Sequence, residues 1–471
     1  MRFLLNLKLK YSHFAIVLAA LAIVLHDIER SDYKDDLRII ESDVIHYYAF
    51  LPALLVYNDL SLGFIDTKPD YFTHKFWPVH TPEGYRVIMT TMGMSLMYAP
   101  FVIPVHYFLE FTGQPATGFS APYKVALLFA SLFYTITGLI LLRKMLLRRF
   151  PDLAVALVLF STVLATNLIF YATRLAAFTH AFSFFLLIVL AWASERYYSS
   201  PSVRRVALVG FIAALITLVR PTNALLLILF PLWGIDSPKS LRERLQLFLK
   251  NYSHLLVLIA VAVFCWGPQL VYWKQYSGQW FFNGYADKGM FFFDNPQIIN
   301  VLFSYRKGWL LYTPVMILAL SGFFWLWKSN RDLFWPLLIV FLLHLYLVSS
   351  WWLWWFGGSF GHRAFVDIYG LLAFPLAAFF SQLISRRRIF LKVAALLIAL
   401  LLAVHNIFQM YQFHNGAIHY VANTKESYWD SFLRLKPSPH YYHLLVNPDY
   451  EAAREGIYPK PVVTYQKPKG K

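Results

Sequence analysis

Long apolar runs set the limits on what this chain can fold into. They recur at 12–28, 121–142, 152–170, 179–196, 205–219, 222–236, 253–272, 309–327, 333–350, 366–384 and 391–411. Most reach or approach the roughly 20 residues that a helix needs to cross a bilayer. In hydrocarbon only helices and closed barrels satisfy their own backbone groups. Helix-length runs therefore predict an all-α polytopic membrane protein with about 11 transmembrane helices. Composition agrees, because only 14% of the 471 residues are charged, against about 25% in a soluble domain.

Topology follows from charge. The net charge of +17 would point to nucleic acid in a soluble chain. Here the basic residues cluster between apolar runs, so membrane topology accounts for much of the excess and no nucleic-acid partner is expected. The clusters are Arg2/Lys8/Lys10, Arg143/Lys144/Arg148/Arg149, Arg196/Arg204/Arg205, Lys239/Arg242/Arg244/Lys250, Lys328/Arg331 and Arg386/Arg387/Arg388/Lys392. The positive-inside rule wants them on one side. Counting the apolar stretch 87–111 as a span spoils that arrangement, and leaving it out restores it. It therefore reads as an interfacial, re-entrant helix broken by Pro100 and Pro104. The N-terminus is then cytoplasmic. Residues 1–12 and 14–25 mimic a signal peptide, but Asp27 and Glu29 follow without a small-residue cleavage site, so the first span is expected to stay. Cys265 is the single cysteine, which excludes an intrachain disulfide and a cysteine-based zinc site.

Two regions result. Residues 1–411 read as a transmembrane domain whose first outer loop, 29–120, carries interfacial helices. Residues 412–471 read as an extracytoplasmic tail, short for a core of its own, that packs on the other outer loops. Polar, titratable and aromatic residues collect in 29–120, 171–178, 220–221, 273–308, 351–365 and the tail. The inner loops show no Gly-rich phosphate loop, which disfavours a nucleotide donor at the cytosolic face.

Candidate chemistry begins at Glu41-Ser42-Asp43-Val44-Ile45-His46-Tyr47-Tyr48. If 43–59 is a helix, Asp43, His46 and Tyr47 share one face. Asp43 can then accept a proton from a hydroxyl nucleophile, or simply cap the helix. Lys75 and Arg86 can hold a lipid phosphate or snorkel at the interface. Arg174, His180 and Arg220 stand at the mouths of spans. An arginine there pairs, faces a watery cavity, or reaches the headgroups. Arg306 and Lys307, beside Gly308, can embrace a phosphate or belong to a basic-aromatic belt. The same choice applies to Trp351-Trp352-Leu353-Trp354-Trp355-Phe356-Gly357-Gly358-Ser359-Phe360-Gly361-His362-Arg363. There, three glycines followed by His362 and Arg363 favour a shaped loop near a ligand. His74 and His80 have no regular metal-ligand spacing.

Taken in order, these motifs resemble the GT-C superfamily of membrane glycosyltransferases. The likeness is to the lipid-carrier-dependent group containing protein O-mannosyltransferases and aminoarabinose transferases. The carrying residues are Ser42-Asp43 with His46-Tyr47-Tyr48 and Leu51-Pro52-Ala53, then Gly93 to Pro100-Phe101 and His106. Tyr171 to His180, Arg220-Pro221-Thr222-Asn223, Ser304 to Gly308 with Tyr312-Thr313-Pro314, and Trp351 to Arg363 complete them. Together they cover most of 1–410. The resemblance implies an integral protein of a bacterial inner membrane with an extracytoplasmic active site. It implies a polyprenyl-phosphate sugar donor, a lipid, glycan or protein acceptor, and inversion with Asp43 as general base. His46, Tyr47, Lys75, Arg86, Arg174, His180, Arg220, Arg306, Lys307, His362 and Arg363 would bind substrate. Relatives often carry Lys-Tyr or Lys-Thr shortly before the Gly93 position. Met89-Thr90 stands there instead, which shifts the phosphate-binding role toward Lys75 or Arg86. No cofactor is required by this chemistry, no metal ligand set is evident, and a divalent cation is left open. Two other readings stand beside it: an oligosaccharide ligase or polymerase, and a transporter or flippase of a lipid-linked sugar.

Overall fold

The computed structural model describes residues 10–285, 289–385 and 388–464. Arg2, Lys8, Arg386 and Arg387 of the basic clusters lie outside the described residues. In chain order, α1 (Tyr11–Arg30) precedes three short helices, α2 (Asp43–Tyr48), α3 (Phe50–Leu55) and α4 (Pro69–Phe72). A small antiparallel pair follows, β1 (Val79–His80) and β2 (Arg86–Val87), in a register that sets Val79 opposite Val87. Then come α5 (Gly93–Phe111), α6 (Ala121–Leu146), α7 (Asp152–Leu164), α8 (Leu168–Ala172), α9 (Thr179–Ser199) and α10 (Val203–Val219). A 3₁₀ stretch, Pro221–Ile228, leads into α11 (Leu229–Leu232), α12 (Pro238–Lys250) and α13 (Tyr252–Ser277). The last group is α14 (Ile298–Phe303), α15 (Trp309–Tyr312), α16 (Val315–Ser329), α17 (Arg331–Ser350), α18 (Tyr369–Ser385) and α19 (Ile389–His414). The tail holds α20 (Lys425–Ser431) and α21 (Tyr450–Arg454).

Among the described residues, six helices are long and apolar enough to cross a membrane: α1, α6, α13, α17, Arg363–Ser385 and α19. The remaining expected spans take other forms. Residues 179–196 and 205–219 lie in α9 and α10, of 21 and 17 residues. The run 152–170 is interrupted after α7, where Thr166 Oγ1 turns back to the carbonyl of Thr162 at 2.6 Å and also accepts from Leu168 N. The run 309–327 divides at Thr313-Pro314 into α15 and α16. The run 222–236 begins as 3₁₀ and ends as a short α-helix and turn, and Pro221–Leu232 covers roughly 22 Å by its rises per residue, short of a bilayer.

The sequence expectation for 87–111 needs correction. Residues 88–92 are not helical. They are wedged in place by Tyr272 OH on Ile88 N at 2.9 Å, Gln269 Oε1 on Met92 N at 2.7 Å, and Thr91 Oγ1 on Leu218 O. The helix starts at Gly93, where any Cβ would overlap the backbone of Leu218. It then runs unbroken through Pro100 and Pro104. Both prolines lie on its exposed side with Leu96, Tyr107, Phe108 and Phe111, while Ser95, Tyr98, Val102, His106 and Leu109 are buried opposite. A proline ring on the uncovered face distorts no packed neighbour, so the helix continues despite the missing donors.

The chain divides into two compact units. The first comprises Met1–Ala19, Arg143–Phe170 and Asp287–Lys471, and the second Ala20–Leu142 and Tyr171–Ala286. In the first, α18 packs against α7 and α16, and α19 packs on α7. At Gly322 a Cβ would collide with the carbonyl of Pro375, so only glycine permits the close approach of α16 to α18. In the second, α10 lies between α9 and α13.

Candidate functional site

In the second unit the acidic loop before α2 is held from several sides. Glu41 Oε1 receives Arg174 Nη1 at 2.6 Å, and Arg174 Nε stands 3.7 Å from Asp32 Oδ2. Arg38 approaches the other oxygen of Glu41 at 3.8 Å. The Arg174 side chain is 11% exposed, so these carboxylates supply the charge that its burial demands. Between Glu41 and Asp43 stands Ser42 at φ 53° and ψ −132°, a region costly for any residue with a Cβ. Asp43 then opens α2, with Ser42 and not Asp43 at the capping position. On its far side α2 is locked by Tyr48 OH on Gly118 O at 2.7 Å and by Ser95 Oγ on Tyr47 O at 2.6 Å.

The expected 43–59 helix is divided into α2 and α3. The shared face survives within α2. His46 is buried, with its ring 5.8 Å from Trp77. Burial pushes its pKa below the usual value, and the Asp43 carboxylate pulls against that shift. Tyr47 meets the ring of Phe178 at 6.3 Å. Arg220 Nη1 lies 3.4 Å from His180 Nδ1 at the start of α9, and His180 packs edge-on to Tyr171 at 4.9 Å.

Lys75 and Arg86 are engaged locally. Arg86 binds Asp66 at 2.8 Å and the carbonyl of Leu62 at 3.2 Å. Lys75 donates to Tyr71 O at 3.0 Å and sits 3.8 Å over the Tyr71 ring. Burial lowers its pKa, with Asp36 opposing.

The first unit contains the other candidates. Arg306 is 7% exposed. It donates to Val421 O at 2.8 Å and to Val446 O at 3.2 Å, with its guanidinium 5.6 Å over the Trp355 ring. Burial lowers its pKa to about 10. Lys307 is 1% exposed and donates to Ser359 O. Burial, then the charges of Arg363 and Arg306, push its pKa well below the lysine range. Neither Arg306 nor Lys307 forms an ion pair with a carboxylate among the described residues. His362 is buried, with Nε2 3.0 Å from Trp354 O.

The tryptophan loop is a shaped interior feature. Trp352, Trp354 and Trp355 are all buried, whereas an aromatic belt would face lipid. Phe356, Gly357 and Gly361 adopt φ of 54°, 63° and 59° to make its turns. Asn167 Nδ2 holds Phe360 O at 3.1 Å and Tyr369 OH holds Asn167 Oδ1 at 2.7 Å, so the break between α7 and α8 anchors the loop. The indole N–H groups of Trp352, Trp354 and Trp355 find no acceptor among the described residues. The tail packs here as expected, with Tyr458 OH on Trp352 O at 3.0 Å and Arg306 holding two tail carbonyls.

No family model and no curated protein matches the sequence. Among solved structures, it is similar to the oligosaccharyltransferase of Archaeoglobus fulgidus tethered to an acceptor peptide containing the NVT sequon. That likeness has a TM-score of 0.53 and 14% identity, covering 98% of this chain and 61% of that one. It is also similar to the archaeal oligosaccharyltransferase AglB from the same organism in complex with an inhibitory peptide and a dolichol-phosphate. There the TM-score is 0.50 and the identity 12%, over 98% and 61% of the two chains. The fold is GT-C. This chain spans about three fifths of the length of those proteins.

Sequence reading missed the pairing of Arg174 with Glu41. It named Arg174 as a substrate ligand and gave Glu41 no role. A half-buried arginine needs an acid, but neither its burial nor its nearness to Asp32 and Glu41 is visible in the sequence. Sequence reading also missed Asn167, since one amide in an apolar run looks like helix punctuation. No group of three or more His, Cys, Asp or Glu side chains among the described residues makes a metal-sized cluster.

Proposed function

We propose that this chain is a membrane glycosyltransferase that moves a sugar from a polyprenyl-phosphate carrier to an acceptor on the extracytoplasmic side of the membrane. The acceptor hydroxyl attacks the anomeric carbon from the face opposite the phosphate. Asp43 takes its proton as the new C–O bond forms. The old bond breaks with its electron pair left on the carrier phosphate, and the configuration inverts. No nucleotide is needed, because the activated bond to the lipid phosphate supplies the driving force.

The observation that carries this reading is the setting of Asp43. It opens a short buried helix directly after a strained residue, braced by the Arg174–Glu41 pair, in a chain of GT-C fold. Strain held by its surroundings is characteristic of functional sites. In the first unit, taken by itself, Arg306 and Lys307 are two buried basic groups with no carboxylate ion pair among the described residues, a costly arrangement that an anion would offset. The dolichol-phosphate bound in one structural neighbour favours a lipid-phosphate donor, and the peptides in both favour a peptide among the possible acceptors.

The test is transfer of radiolabelled sugar from synthetic polyprenyl-phosphate sugars to membrane extracts, with wild type beside Asp43→Asn. Wild-type transfer lost in a folded, donor-binding mutant is the expected result. A fully active Asp43→Asn protein would remove Asp43 from the mechanism. A lipid-linked sugar that crosses the membrane without transfer would favour a flippase.

A further inference from the structure

α12 begins with a capping box between Ser237 and Ser240, and Pro238 sits in its first turn. None of its residues is fully buried. Ser240, Arg244, Leu247 and Phe248 are partly covered. Next around the helix come Leu241, Leu245 and Leu249, 42%, 55% and 78% exposed. Arg242, Lys239 and Lys250 follow, all exposed. At about 100° per residue the leucine stripe is roughly 80° wide and lies between the covered face and the basic face.

The covered face is firmly attached. Arg244 donates to Pro231 O and Trp233 O, each at 2.8 Å, and stacks 3.3 Å over the Tyr198 ring. These partners lie at the C-terminal ends of α9 and α11, and Asn251 passes the chain directly into the span-length helix α13. α12 is therefore fixed at one end of a membrane span. His180 stands at the other end of the 21-residue α9, about 30 Å away, which is one hydrocarbon thickness.

We propose that α12 is a docking face for anionic phospholipid headgroups. Its leucines reach the acyl boundary while Lys239, Arg242 and Lys250 meet the lipid phosphates. Charge selects the occupant. Three exposed cations face outward with one acid among them, Glu243, which stands 4.0 Å from Lys239 as an exposed pair and cancels little. Arg244 is already consumed by carbonyls and a ring. A zwitterionic surface offers these cations no net partner, whereas an anionic one does.

The test uses the full chain with Cys265→Ala and Leu245→Cys, the new cysteine carrying an environment-sensitive fluorophore. The protein is reconstituted into vesicles of phosphatidylcholine alone or with phosphatidylglycerol, each containing a headgroup-depth quencher lipid. Quenching should be stronger with phosphatidylglycerol, and high salt should erase the difference. Reversal of Lys239, Arg242 and Lys250 to Glu, one at a time, should weaken the preference roughly fivefold each, with helical content and Tm retained. Equal quenching in both lipids, unmoved by the reversals, would overturn the proposal. So would quenching that grows only with protein density, which would mean a second copy covers the stripe.

Discussion

Arg174 Nη1 lies 2.6 Å from Glu41 Oε1, across 133 positions of sequence. The pair fixes the residue immediately before Ser42, whose backbone sits at φ 53° and ψ −132°. Without the clamp Ser42 can relax and turn Asp43 away. Arg174→Gln should lower kcat for sugar transfer by about 10- to 100-fold while the donor KM changes little. Ser42→Gly makes that backbone conformation cheap, so adding it to Arg174→Gln should restore part of kcat. Steady-state kinetics on the two variants decide the matter, and a loss seen only in KM would remove the positioning role.

Lys307 makes stability depend on pH in a defined direction. Its folded pKa is depressed below the ordinary 10.5, first by burial. Wherever the unfolded chain binds the extra proton, stability rises with pH. The contribution is fully present above 10.5 and is lost as pH falls through the lower, folded value. Lys307→Met should therefore flatten the rise in Tm toward alkaline pH. Thermal unfolding of both proteins in detergent at a series of pH values, without donor lipid, measures it. Parallel curves would mean that Lys307 is solvated.

The same lysine links binding to protons. A phosphate placed beside it would raise its pKa, so the carrier lipid should bind with proton uptake at any pH where the free lysine is neutral. Calorimetry in buffers of differing ionisation enthalpy reads that uptake directly, and Lys307→Met should abolish it. Uptake unchanged in the mutant would place the phosphate elsewhere.

Gly361 has φ 59°, and a Cβ there would stand 3.2 Å from Asn167 Nδ2. Gly361→Ala should cost about 1–3 kcal/mol, read as reduced resistance to unfolding, and should loosen the loop that carries His362. An unaltered protein would mean that the loop turns elsewhere.

Pro100 and Pro104 make the contrasting case. Both lie on the exposed side of α5, clear of packed neighbours. Replacing both with alanine should leave activity intact and stability equal or slightly higher, since each restores a helix donor. A marked loss of activity would show that the prolines shape the helix.

Much of this protein was legible in its chain. Apolar runs gave a helical membrane protein, because lipid leaves the backbone few choices. The order of Asp43, Arg220, Arg306 and the tryptophan loop pointed to a GT-C fold. What the chain alone hid was every relation that joins distant positions. Periodicity reports which face is apolar but not what covers it, so a lipid belt stayed open for the tryptophans beside the favoured shaped loop, until their burial decided for the loop. Proline content suggested a broken α5, because local propensity cannot see that the rings fall on the uncovered side. Hydropathy counted 222–236 among the spans, because it weighs apolar content and not the length that a 3₁₀ path covers. Arg174 and Glu41 read as unrelated charges, since only tertiary structure brings residues 133 apart within one hydrogen bond. An ion pair is set by distance and burial, and neither is written in local sequence.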